Sequence, residues 1–197
     1  MAKTARRPGA KEVRLTGGVF RGRRLRGAPG IRPTPAMVRE ALFSILGEDI
    51  RGVRVLDLYA GTGAVALEAL GRGAESAVLV DCSRASLQAL RANIEALGLA
   101  ERARVAAGEA CALLSSGRFS QGEFGFVFLG PPYDRDFCRR TLERIAPDIF
   151  APGQPIVVVQ ASPREALPDA VGCLVRSRLK TYGDCLLHFY ALAPQPS

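Results

Sequence analysis

Three short stretches of the chain hold residue types that can do chemistry. The first runs from Val55 to Leu67: an apolar segment carrying one acid, Asp57, then Tyr59-Ala60-Gly61-Thr62-Gly63, then good helix formers. It reads as strand, tight loop and helix, and ligands of open α/β sheets bind where such loops leave the carboxyl ends of strands. Glycine at 61 and 63 permits positive φ and a close approach of backbone to ligand. The second stretch is Asp81-Cys82-Ser83, at the end of the next apolar run. A carboxylate there can receive both hydroxyls of a ribose in one charge-assisted contact, or it can cap the following helix, a role open to Ser83 as well. The third is Gly130-Pro131-Pro132-Tyr133, which closes a later apolar run.

Gly61-x-Gly63-x-x-Ala66, with Asp81 further along, fits a dinucleotide fingerprint. Two features point elsewhere. Asp57 can receive an ammonium group, or hydrogen bonds from the loop, but would repel a nearby pyrophosphate, and a dehydrogenase has no need of Pro-Pro-Tyr. The combination resembles a class I S-adenosylmethionine methyltransferase acting on a planar exocyclic nitrogen. Many such enzymes set an acid or amide against the adenine edge after the third strand, where this chain has Gly108-Glu109-Ala110. Glu109 can equally favour its own helix dipole, and a backbone amide at 109 or 110 can read adenine whatever the side chain does.

In amino methyltransferases the third motif is Asp or Asn, then Pro-Pro, then an aromatic. The amine of an aromatic base has its lone pair delocalised into the ring. An acceptor side chain and the carbonyl of the first proline bind its two N–H groups and favour a pyramidal nitrogen, while the aromatic stacks the extruded base. Here Gly130 stands where the acceptor belongs. Either turnover is weakened, or Asp134 or Asp136 substitutes, or the glycine is an inactivating replacement.

The elements that must position these residues follow from pattern. A chain of 197 residues, 48% apolar, suits one domain with a substantial core. No apolar run approaches the length of a membrane span, and the basic N-terminus has no apolar signal core; the expected compartment is the cytoplasm. Five scattered cysteines without a Cys-x-x-Cys pair, and one histidine, indicate neither a disulfide framework nor a metal site. Residues 1–39 hold eleven Lys or Arg and one acid, whereas the rest holds sixteen and eighteen. The basicity is local, and a polyanion is the expected partner.

Residues 1–10 read as a disordered basic tail and 11–35 as a basic β-hairpin with a linker. The hairpin turns at Gly17-Gly18 and carries Arg21, Arg23, Arg24 and Arg26. Arg32-Pro33-Thr34-Pro35 leads into a helix, with Thr34 the expected N-cap and Pro35 its first residue. Arg39 and Glu40 are placed off its apolar stripe. From Val53 strands and helices alternate, which predicts a parallel sheet through residue 160. Leu174–Thr181 and Cys185–Leu192 then predict an antiparallel hairpin around Tyr182-Gly183-Asp184.

Gly17-Gly18-x-Phe20-Arg21-Gly22-Arg23-x-Leu25, Arg32-Pro33-Thr34 with Val38-Arg39-Glu40-Ala41-Leu42-Phe43, Val55 to Leu67, and Lys180-x-Tyr182-Gly183 with Leu187-x-Phe189-Tyr190 resemble the RsmD family, bacterial methyltransferases of guanine N2 in 16S ribosomal RNA. The match spans nearly everything after the first ten residues. It implies a Rossmann-like class I fold over residues 36–194, with seven strands, the last antiparallel, preceded by the hairpin. It implies S-adenosylmethionine held by Thr34, Asp57, Tyr59, Ala60, Gly61, Thr62, Gly63, Asp81, Cys82, Ser83, Glu109 and Ala110, and the target base at Gly130, Pro131, Pro132 and Tyr133. RNA would be met by Arg21, Arg23, Arg24, Arg26, Arg32 and Arg39. The expected state is a monomer acting on 16S rRNA, free or in a partly assembled small subunit. Gln160 stands where an acid often follows the fifth strand. The competing readings are a cofactor- and RNA-binding module with little catalysis, a DNA adenine-N6 methyltransferase, and a nucleotide-dependent oxidoreductase; the basic hairpin disfavours the oxidoreductase, and the lack of a recognisable DNA target-recognition domain the DNA methyltransferase.

Overall fold

A computed structural model describes residues 12–119, 121, 123–133 and 136–194; the tail assigned to 1–10 and the candidate acceptor Asp134 lie outside these. Alternation of β and α begins at β3 (Arg54–Asp57), α2 (Ala64–Gly71), β4 (Ser76–Asp81), α3 (Arg84–Ala96) and β5 (Ala103–Ala107). It continues through α4 (Ala110–Ser115), β6 (Phe124–Leu129), α5 (Phe137–Leu142) and β7 (Ile156–Ala161). β8 (Ala170–Val171), β9 (Leu174–Tyr182) and β10 (Cys185–Leu192) complete the sheet. Ahead of them lie β1 (Val13–Arg14), β2 (Arg24–Leu25) and α1 (Ala36–Leu46).

The main sheet has the order β5-β4-β3-β6-β7-β10-β9-β8. β3 to β7 are mutually parallel, and β10 inserts antiparallel between β7 and β9. This is the class I methyltransferase arrangement, with one correction: a two-residue edge strand, β8, makes eight strands rather than seven. The parallel strands are buried on both faces, so successive residues feed different cores. Val55 joins α1, α2 and α3 on one side, and Leu56 joins α4 and α5 on the other. Sequence order reverses between β3 and β6, which opens a crevice at their carboxyl ends.

The N-terminal extension is shorter as a ladder than its sequence suggests. β1 and β2 pair over only two residues each, because the chain between them turns aside onto the end of α2. A Cβ at Gly18, where φ is +68°, would meet the Gly71 carbonyl oxygen at 2.3 Å. The two glycines therefore let main chain lie directly on main chain.

A buried carboxylate fixes that docking. Glu68 is the sole charged residue of an entirely buried helix and is itself fully buried. Thr16 donates to it through its N–H (3.0 Å) and its hydroxyl (2.6 Å). Arg39 pairs with it at 3.4 Å and Arg72 at 2.9 Å. The remaining Arg39 donors reach the carbonyls of Thr34 and Arg14. Arg39 is 1% exposed, which corrects its assignment as an RNA contact. Its spacing of three, four and seven residues from Leu42, Phe43 and Leu46 places it on the buried stripe. Burial pulls its guanidinium down from the ordinary value while Glu68 holds it up.

Asn93 of α3, also buried, makes a second clamp. Its Oδ1 accepts from the Arg26 N–H (2.7 Å), and its Nδ2 donates to the carbonyls of Arg26 (3.1 Å) and Thr62 (2.9 Å). The extension is thereby tied to the glycine loop itself.

On the far side of the sheet, His188 is 2% exposed. The Arg176 guanidinium lies 3.1 Å from its Nδ1, which must accept; the proton then sits on Nε2, a buried atom without a partner among the described residues. Burial, with help from Arg176, pushes His188 down to about 4. An unfolded histidine takes up its proton near 6.5, so the folded state loses stability as pH falls from about 6.5 toward 4. His188→Leu lacks this penalty. Between pH 7 and 4 its unfolding free energy, measured by urea titration, should gain up to about 3 kcal/mol on the parent.

Candidate active site

A cavity of about 520 Å³ opens at the carboxyl ends of β3, β4, β5, β6 and β7. Thr34, Asp57, Tyr59, Ala60, Gly61, Thr62, Asp81, Cys82, Ser83, Glu109 and Ala110 all line it, as do Arg32 and Gly130 to Tyr133. Of the residues expected at the cofactor or the base, Gly63 alone does not. It caps α2 with φ +80°, and a Cβ there would press on Leu67, Leu79 and Leu90 at 2.9–3.0 Å. Its role is to seat the loop on the core.

The loop is held from below. The Asp81 carboxylate accepts from the Gly61 N–H (2.9 Å) and from the Ser83 N–H (2.8 Å). Ser83 caps α3 by accepting from the Ser86 N–H, which leaves Asp81 free of that task. Each Asp81 oxygen keeps a lone pair for a ribose hydroxyl. Gly61 has φ +56°, and a Cβ would meet Ile31 of the linker at 3.0 Å. The linker, from Gly30 to Thr34, forms one wall of the cavity.

Asp57 is 1% exposed, and its Oδ1 has no partner among the described residues. Burial pushes its carboxyl up to about 7, against the pull of the Tyr59 and Ala66 amides. A buried acid with an orphaned oxygen at a cavity wall is suited to a cation. Tyr59 is fixed beside it, its hydroxyl 2.7 Å from Thr141 and its ring tilted against Phe137.

At the other end, Tyr133 is held by partners the sequence did not reveal. Gln160 donates from Nε2 to the Tyr133 hydroxyl (2.9 Å) and accepts from the Thr34 hydroxyl (2.7 Å). Thr34 was expected to cap α1; Pro35 is the cap residue instead, and Thr34 is spent on Gln160. The Arg32 guanidinium lies 5.1 Å from the Tyr133 ring centre. Gln160 is 126 positions from Thr34, a separation at which no local pattern carries a signal. Arg21, Arg23, Arg24 and Arg26 are all exposed, with Arg23 donating to the Ala96 carbonyl at the end of α3 and Arg24 paired with Glu12.

Gly130 has no positive φ, so its backbone does not require glycine. A Cβ there would meet the Phe128 ring at 3.0 Å. Asp136 is exposed and is not part of the cavity wall, which counts against it as the substitute acceptor. No cluster of metal-ligating side chains and no disulfide occurs among the described residues.

The family model described as Conserved hypothetical protein 95 matches residues 13–191. The chain is 32% identical to Ribosomal RNA small subunit methyltransferase D of Escherichia coli over 184 residues, 92% of this chain and 91% of the relative. The chain belongs to the RsmD family. Its Haemophilus influenzae namesake is 29% identical over 80% of this chain and 83% of its own length. The solved structure of the Escherichia coli protein yhhF superposes with a TM-score of 0.78 at 32% identity, covering 94% of this chain and all of that one.

The cofactor of the RsmD family is S-adenosylmethionine; an amino group of that kind is a cation that the orphaned Asp57 oxygen is able to receive, and a ribose diol is a donor pair that the Asp81 carboxylate is able to receive. A cation against Oδ1 favours the ionised carboxyl and so lowers its pKa from about 7. Binding therefore releases a proton at mildly acidic pH, and affinity rises with pH until Asp57 is ionised in the free protein. Titration with S-adenosylhomocysteine between pH 5.5 and 7 should show affinity rising by up to about tenfold per unit. Asp57→Asn should bind more weakly and without that slope.

Proposed function

We propose that the protein transfers a methyl group from S-adenosylmethionine to the exocyclic N2 of a guanine in 16S ribosomal RNA. The observation that carries this reading is that one cavity joins the orphaned Asp57 and the Asp81 carboxylate to Pro131, Pro132 and Tyr133. Its support outside the cavity is the likeness to relatives named for small-subunit rRNA methylation. The bound cofactor supplies an electrophilic methyl group on a sulfonium. The protein's own share is placement. The Pro131 carbonyl accepts one amine hydrogen, Tyr133 stacks the base, and the linker wall limits water. The basic extension supplies affinity for the RNA backbone.

Gly130 leaves the amine's second hydrogen without a charged acceptor. Cofactor binding survives this, since its contacts come from other strand ends, while the transfer step slows. Gly130→Asp requires the Phe128 ring to yield a few tenths of an ångström. In single-turnover transfer to small-subunit rRNA or partly assembled subunits at saturating cofactor, it should raise the rate about 10²–10³-fold. The affinity for S-adenosylhomocysteine should stay fixed. A rapid parent enzyme indifferent to this change would leave positioning by Pro131 and Tyr133 as sufficient.

Gln160 supplies Tyr133 with its orientation. Gln160→Leu should lower kcat/KM for RNA about tenfold, the worth of one hydrogen bond. S-adenosylhomocysteine affinity should be unchanged. Adding Tyr133→Phe should cost less than the same change costs in the parent, because both break the Gln160–Tyr133 contact.

A further inference from the structure

Lys180-Thr181-Tyr182-Gly183 has no part in the cavity, yet the sheet carries it toward the target side. Alternation along β9 puts Arg178, Lys180 and Tyr182 on one face. The register aligns Lys180 with Leu187 and Leu187 with Gln160, and Arg178 with Phe189 and Phe189 with Val158. Leu187, Phe189 and Val158 all belong to the core beneath α1. Lys180 thus stands on the α1 side of the sheet, two strands and about 10 Å beyond Gln160, whose amide holds Tyr133. At the tip, Tyr182 pairs with Cys185, whose thiol faces the Tyr133 hydroxyl.

The charge of this edge is uncompensated. Arg176 is spent on Asp169. Arg178 and Lys180 are exposed, and neither has an ion pair among the described residues. Strand β9 itself contains no acid; the nearest in sequence is Asp184 in the turn. β8 pairs with β9 at Leu174 and Val175, and the Arg176 N–H donates to the Asp169 carbonyl (2.7 Å), so the edge is open from Ser177 onward.

We propose that this open edge is a second RNA-contacting surface, on which Arg178 and Lys180 neutralise backbone phosphates next to the nucleotide held at Tyr133. It lies across the cavity from the N-terminal extension, which packs on α2 and α3, so the RNA is gripped on both sides of its reacting base. The proposal rests on the reading that RNA is the substrate. Cationic edge strands have another use, to block pairing between copies of a sheet, and the experiment must separate the two.

The full chain carrying Arg178→Gln and Lys180→Gln is compared with the parent and with a chain in which Arg21, Arg23, Arg24 and Arg26 are all replaced by Gln. Binding to small-subunit rRNA, naked and in partly assembled particles, is measured across a salt series, with S-adenosylhomocysteine affinity and sedimentation alongside. The edge variant should bind RNA about tenfold more weakly. The slope of log affinity against log salt should fall by about 1.4, the value for two phosphates on a single strand. Cofactor affinity and oligomeric state should match the parent. Loss of affinity in the extension variant with none in the edge variant would overturn the edge and leave the RNA substrate standing. Self-association of the edge variant with undiminished RNA affinity would assign these cations to edge protection. A parent without salt-dependent RNA binding would remove the substrate reading, and the edge with it.

Discussion

The architecture depends on a carboxylate that has no access to water. Glu68 lies in a helix whose other residues are all apolar or glycine, and desolvating it without full compensation would cost several kcal/mol. Compensation comes from three separate segments: Thr16 in the extension, Arg39 in α1 and Arg72 just past α2. Arg72 is a local partner, four residues on in the chain; Thr16 and Arg39 bring the donors that complete the network, and a buried polar network is worth most when every member is satisfied. The network ties the extension and α1 to the same buried carboxylate, and the linker between them runs along the cavity wall.

That linker makes a site from what would otherwise be an open crevice. Ile31 sits over Gly61, and Thr34 reaches Gln160 and, through it, Tyr133. The two ends of the cavity have opposite characters. One end is built on two acids, the buried Asp57 and the half-buried Asp81. The other, at Gly130 to Tyr133, is built on neutral hydrogen bonds and an arginine, with no carboxylate side chain at position 130.

Legibility from sequence followed the range of the interactions. Strand, glycine loop and helix around 55–67 are short-range features, and nearly every residue expected at the cofactor lines the cavity. Strand ends of the main sheet were readable to within about a residue, since the apolar pattern ends where burial ends, whereas the hairpin strands of the extension are far shorter than their pattern suggests. Partnerships between distant segments were not readable. Thr34 has the composition of an N-cap but is recruited by Gln160 on the far side of the sheet. Arg39 resembles a solvated arginine until its spacing with Leu42, Phe43 and Leu46 is weighed, and then Glu68, the lone acid of an apolar helix, is the partner to look for. The two-residue strand β8 is too brief to leave a pattern.

The two polar clamps share a property with an evolutionary consequence. Glu68, through Arg39, and Asn93 take hold of the extension mainly by its main chain: the Thr16 and Arg26 amides and the Arg14, Arg26 and Thr34 carbonyls. Main-chain atoms are the same whatever residue carries them. Most outward-facing positions of the extension can accumulate substitutions without loosening its attachment. A lineage can rewrite that surface to follow drift in whatever it touches, while the scaffold beneath keeps its shape.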